Sequence, residues 1–249
     1  MEVIWDGVRI SYVTAGEGEP LVLIAGHMQP AQDWDDAGYP HLLNDRFRVI
    51  MMDPLGYGAS DKPHTRAKYT FAARAEQLEA VLDAEAVDAA HLWGYSFGSM
   101  IAEAFARLRP SRTRSIVLGG TLPGLKGVHR RNLFEKDLDV YRSGDMDRVW
   151  NEIYPFMPEE VRSRWRPWND PLACAASLEA SFEPLPVESD PMPLPMLCYV
   201  GTDEFFWERA RDVTETAGGR FYPVQGADHG GTFRRTEEVV TQVRTFIGA

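Results

Sequence analysis

Residues 94–98 read Gly94-Tyr95-Ser96-Phe97-Gly98. Gly-x-Ser-x-Gly occurs by chance in roughly one chain of this length in ten, so its surroundings decide what it means. Before it, His91 to Trp93 is a short strand-like run; after it, Ser99 to Arg109 is a helical run stopped by Pro110. A serine on a sharp strand-to-helix turn is a nucleophile elbow. So tight a turn admits only small residues two before and two after the serine. It holds the hydroxyl at the strand's carboxyl end, over a helix N-terminus, where developing negative charge is favoured. The competing reading is a plain Gly-Ser turn, and the strand-then-helix context favours the chemical one.

Outward from the elbow, strand and helix patterns alternate. Val8 to Val13 has the period-two pattern of a half-exposed strand. Leu21 to Ala25, Arg48 to Met52 and Ser115 to Leu118 read as buried strands. Leu42-Leu43 suits a helix end, and Phe71 to Ala86 has apolar residues at helical spacing. From Thr121 to Pro195 the rhythm breaks: helical patterns recur around Asn132–Tyr141, Met146–Ile153 and Pro171–Phe182. Strand-like runs are missing there and aromatics are dense, from Phe134 to Phe182. The proline-rich stretch Pro184 to Pro195 closes this segment. Strand Met196 to Val200, helix Trp207 to Thr216, strand Arg220 to Val224 and helix Thr236 to Ile247 then resume the pattern. The expectation is an α/β fold, a mostly parallel central sheet covered by helices on both faces. The core would comprise 1–120 and 196–249, and 121–195 an inserted helical subdomain.

Bulk properties narrow the partners. The chain has 249 residues, 44% hydrophobic and 25% charged, as in ordinary globular domains. A net charge of −11 argues against nucleic acid and anionic membrane surfaces. Two cysteines, Cys174 and Cys198, are too few for a disulfide framework. The opening residues carry acids where a signal peptide has bases, and no run approaches a membrane span. A cytoplasmic protein with a small-molecule substrate, no cofactor and no metal is the expectation.

Serine needs a base to be nucleophilic at neutral pH. In elbow enzymes the order along the chain is serine, acid, histidine, and only His129 and His229 follow Ser96. His129 falls beside Arg130-Arg131 in the insertion, at what reads as a solvated helix start. His229, in Gly226-Ala227-Asp228-His229-Gly230-Gly231, follows the last strand on what reads as a flexible loop, and it is the expected base. The oxyanion needs two backbone donors: Phe97 N–H, directly after the nucleophile, and His27 N–H in Ala25-Gly26-His27-Met28, where Gly26 admits close approach.

Taken together, Ile24-Ala25-Gly26-His27, Asp53-Pro54-Leu55-Gly56-Tyr57-Gly58-Ala59-Ser60, Gly94–Gly98, Gly201-Thr202-Asp203-Glu204 and Gly226–His229 resemble the successive signatures of the α/β-hydrolase superfamily, in its small esterase and C–C hydrolase branches. The resemblance implies a helical cap at 121–195 over the active site and a largely structural role for Asp53–Ser60. This chain departs from the pattern twice. Ala25-Gly26 replaces a frequent His-Gly, with His27 one residue later. The acid position reads Gly-x-Asp-Glu where Gly-x-x-Asp is usual. Register points to Glu204 as the third catalytic residue and residue type to Asp203; on an extended chain only one would reach His229.

The expected activity is cofactor-free hydrolysis of a carboxylic ester, lactone or thioester with substantial apolar surface, through an acyl-enzyme. C–C bond hydrolysis with the same triad is the nearest rival. A non-hydrolytic small-molecule receptor on the same fold is a rival of another class, which the presence of Ser96 and His229 disfavours. A dehalogenase or epoxide hydrolase would need a carboxylate at position 96.

Overall fold

The computed structural model describes residues 1–184, 192 and 194–248. Of the proline-rich stretch expected to close the insertion, residues 185–191 and 193 lie outside the described residues. Eight strands form one sheet: β1 (Glu2–Trp5), β2 (Val8–Ala15), β3 (Glu19–Ile24), β4 (Phe47–Met52), β5 (Ala90–Tyr95), β6 (Thr113–Gly119), β7 (Met196–Gly201) and β8 (Arg220–Val224). Their spatial order is β1-β2-β4-β3-β5-β6-β7-β8. β2 runs antiparallel to its neighbours β1 and β4, and all the other pairs are parallel. The expected α/β fold is therefore present. Chain order reverses between β3 and β5, and the crevice beyond the carboxyl ends of such strands is where open α/β sheets bind ligands. The loop after β3 and the elbow both lie there.

Apolar runs decide which strands are central. Every residue of β5 and β7 is buried, whereas β2 alternates as a strand with one wetter face should. β1 was missed by sequence. Its turn is Asp6-Gly7, both at positive φ (44° and 76°), the Asp-Gly hairpin type whose twist suits flanking strands.

The helices are α1 (Gln32–Asp36), α2 (Phe71–Ala84), α3 (Phe97–Leu108), α4 (Gly127–Phe134), α5 (Leu138–Arg142), α6 (Met146–Arg148), α7 (Glu159–Trp165), α8 (Pro171–Ala180), α9 (Trp207–Thr216), α10 (His229–Arg234) and α11 (Thr236–Ile247). α6 continues as a π-helical turn, Val149–Ile153. Every described element between β6 and β7 is helical.

Three local expectations change. The segment ending at Leu42 is a short 3-10 turn, Pro40–Leu42, and not an α-helix. Beside His129, Arg130 is buried and not solvated: its guanidinium donates to the carbonyls of Ser181, Leu125 and Glu183, which tie the start of the insertion to its end. His229 opens α10 where a flexible loop was expected, because Asp228 caps that helix, its Oδ1 accepting from Gly231 N at 2.6 Å. Among the described residues no helix is long and apolar enough to cross a membrane.

Candidate active site

Ser96 sits between β5 and α3 at φ 53°, ψ −117°, a conformation costly for a residue with a Cβ. Two strand ends hold it there. Its amide donates to Gly119 O at the end of β6 (2.8 Å), and the Ser99 hydroxyl reaches Gly94 O (2.8 Å) and Gly119 O (3.0 Å). The flanking glycines are required by space. A Cβ on Gly94 would come within 2.3 Å of Gly98, and one on Gly98 within 2.1 Å of Ile24 O.

His229 and Glu204 meet: His229 Nδ1 lies 2.7 Å from Glu204 Oε1. The imidazole side chain is 47% exposed and the carboxylate 13%. With Nδ1–H given to the carboxylate, Nε2 is left with its lone pair. Asp203 is not brought to His229: residues 202–206 form turns and not an extended chain, so Asp203 is exposed while its amide donates to Ala227 O (3.1 Å). Gly201 makes this crossing possible, since a Cβ there would lie 2.0 Å from Ala227 O.

Two further residues shape this side and were not singled out from sequence. Tyr95, buried, donates its hydroxyl to the His229 carbonyl, and its ring centroid lies 5.3 Å from the imidazole. Gly120, at φ +58°, leaves room for the imidazole: a Cβ there would stand 3.1 Å from His229 Cε1. Tyr95 was inside the elbow motif, but a residue between glycine and serine carries no signal of where its hydroxyl goes.

On the other side, Gly26 brings the loop after β3 against the elbow; a Cβ on it would lie 3.4 Å from Ser96 Cβ. Its amide is taken by buried Gln29 Oε1 at 3.0 Å. Among the described residues the His27 amide has no partner, and the Phe97 amide opens α3, where no helical acceptor exists. Asp53 braces this loop from behind, accepting from Ala31 N (2.7 Å) and Ala59 N (3.0 Å). That agrees with a structural role for Asp53–Ser60.

The His27 ring has a different setting from that of His229. Nδ1 lies 2.7 Å from Tyr57 Oη and Nε2 2.9 Å from Tyr141 Oη. Burial, reinforced by the nearby Arg74 guanidinium, pushes its pKa down to about 3, so the ring is neutral at ordinary pH. Arg74 itself is 1% exposed, donates to Ser177 Oγ at 2.7 Å, and has no carboxylate partner among the described residues. Of the insertion's tryptophans, Trp150 is buried, Trp165 donates to Asp33 Oδ2 at 2.9 Å, and Trp168 is 43% exposed.

Comparison with known proteins agrees with this architecture. Residues 19–186 match the family model described as the alpha/beta hydrolase fold. A 2-hydroxymuconate semialdehyde hydrolase from Pseudomonas sp. (strain CF600) is 37% identical over 122 residues, 48% of this chain and 42% of that protein. A putative 2-succinyl-6-hydroxy-2,4-cyclohexadiene-1-carboxylate synthase from Bacillus subtilis (strain 168) is 34% identical over 130 residues, 51% of this chain and 46% of that protein. The matches thus span under half the length of these two relatives. In structure, the enol-lactonase from Burkholderia xenovorans LB400 superposes over 100% of both chains with a TM-score of 0.86 at 20% identity, a likeness of fold.

Proposed function

The chain belongs to the α/β-hydrolase-fold family, and from that premise we propose that it is a cofactor-free serine hydrolase of carboxylic esters or related acyl compounds. The observation that carries this reading is the Glu204–His229 pair at 2.7 Å beside a serine held at φ 53° on an elbow. Ser96 Oγ attacks the acyl carbon while its proton passes to His229 Nε2. Glu204 holds the imidazole by Nδ1–H and stabilises the imidazolium. The amides of Phe97 and His27 receive the oxyanion. As the C–O bond breaks, the imidazolium proton goes to the leaving oxygen. Water then gives a proton to His229, attacks the acyl carbon and releases the acid, and Ser96 recovers its proton. The Ser96 hydroxyl makes no hydrogen bond to His229 in the described structure. Such contacts often tighten only when substrate is bound.

A second reading, hydrolysis of a C–C bond by the same residues, is favoured by the identity with 2-hydroxymuconate semialdehyde hydrolase. Purified protein should react with a fluorophosphonate and turn over members of a graded panel of p-nitrophenyl esters and lactones. Ser96→Ala should lose labelling and turnover while keeping its fold. Retention of most of the activity by that variant would remove Ser96 from the reaction. Turnover of 2-hydroxymuconate semialdehyde in preference to every ester would select the second reading.

A further inference from the structure

The loop that carries the His27 amide is held from the inserted helices. Tyr141 of α5 meets the His27 ring at 2.9 Å and the Met28 sulfur at 3.6 Å. Asn169, just before α8, donates from Nδ2 to Met28 O at 2.8 Å and to Trp165 O at 2.9 Å. Met28 is itself at φ 61°, a left-handed conformation uncommon for a side chain of this size. Such a turn persists only when its surroundings impose it.

The hydrogen bonds around His27 also have a direction. Arg74 can only donate, so Ser177 Oγ accepts from it and its own proton is free for Tyr57 Oη, 2.7 Å away. Tyr57 then donates to His27 Nδ1, and Nε2–H donates to Tyr141, whose own proton faces Met28 Sδ at 3.6 Å and Tyr154 Oη at 3.0 Å. In this direction every hydroxyl up to Tyr141 has an acceptor, and His27 is the Nε2–H tautomer. The imidazole is thus spent on both nitrogens and joins core to insertion.

We propose that His27, Tyr141 and Asn169 are positioning residues, through which the inserted helices set the place of the His27 oxyanion amide. The inference rests on the serine-hydrolase reading above. It predicts that loosening the loop harms the chemical step and not substrate affinity, because the amide serves the transition state. A misplacement near 1 Å costs up to about a hundredfold.

The experiment compares wild type with Tyr141→Phe, which keeps the ring, with Asn169→Ala, and with His27→Ala alone and combined with Tyr141→Phe. Each is assayed with p-nitrophenyl butyrate and for the rate of fluorophosphonate labelling, with thermal unfolding to verify folding. The expected result is a fall in kcat and labelling rate of about tenfold to a hundredfold for each single variant, with KM within about twofold. Tyr141→Phe should add little to His27→Ala, since both cut one path. Unchanged kcat in folded variants overturns the proposal, as does a loss confined to KM or full additivity of the pair. If wild type itself neither labels nor turns over ester, the serine-hydrolase reading fails first and takes this inference with it.

Discussion

Two imidazoles flank the crevice between β3 and β5, and their surroundings are opposite. His229, the first residue of α10 after β8, is half exposed and bonded to one carboxylate. His27, under the inserted helices, is bonded to two phenols, and the charge nearest it is a guanidinium. A carboxylate at Nδ1 favours the imidazolium that the proposed reaction would form and lose in each turnover. Burial beside a cation forbids it. In the proposed mechanism the same side chain is a proton carrier on one side and a fixed neutral strut on the other, and partners decide which.

The largest test of that contrast is on the carboxylate side. Glu204→Gln should lower kcat on the order of 10⁴, because the amide favours the wrong tautomer and leaves the imidazolium unpaired. Asp203→Asn, exposed and off His229, should stay within about twofold of wild type in the same assay, as surface changes away from such features usually do. A crippled Asp203→Asn beside a normal Glu204→Gln would reverse the assignment.

The enclosed side should respond in stability. Trp150 is 1% exposed, and its ring stands 6.0 Å from Tyr154, which bonds Tyr141. Trp150→Ala should cost roughly 3–5 kcal/mol in urea unfolding. Trp168→Ala, at a half-exposed ring, should change it by about 0.5 kcal/mol or less. Equal effects would mean that the insertion has no distinct packed centre.

The last expected signal is in pH. Because the folded His27 pKa is depressed from its ordinary 6.5 to about 3, the folded state binds fewer protons than the unfolded one between those values. Its contribution is therefore complete above pH about 6.5 and is lost as pH falls towards 3. His91 is depressed too, mainly by burial, and pulls the same way. The urea midpoint of wild type should thus decline more steeply from pH 7 to 4 than that of His27→Gln. Identical slopes would mean that the imidazole is not held neutral.

Much of this was legible before any coordinates. The elbow, its glycines, the loop of His229 and the alternation of strands and helices are local patterns, written in consecutive residues. Glu204 followed from register although residue type argued for Asp203; the turn after Gly201, where the expectation assumed an extended chain, is what separates the two carboxylates. Arg74, Ser177 and Tyr57 were not legible as a unit. Each is unremarkable in its own segment: an arginine on a helix reads as solvated, a serine among alanines as filler. Their meeting is a property of the packed insertion. The β1 turn is legible, since Asp6-Gly7 is a hairpin signal.

The geometry of Ser96 has a consequence in time. The contact that forces its backbone comes from a remote part of the chain, Gly119 at the end of β6, and neighbouring Gly98 packs close on Ile24 at the end of β3. Parallel strands joined by helices must close long loops before their pairing is rewarded. A refolding chain should therefore regain its helical circular dichroism well before its serine will take a fluorophosphonate. The interval between the two signals would date the arrival of the sheet's centre.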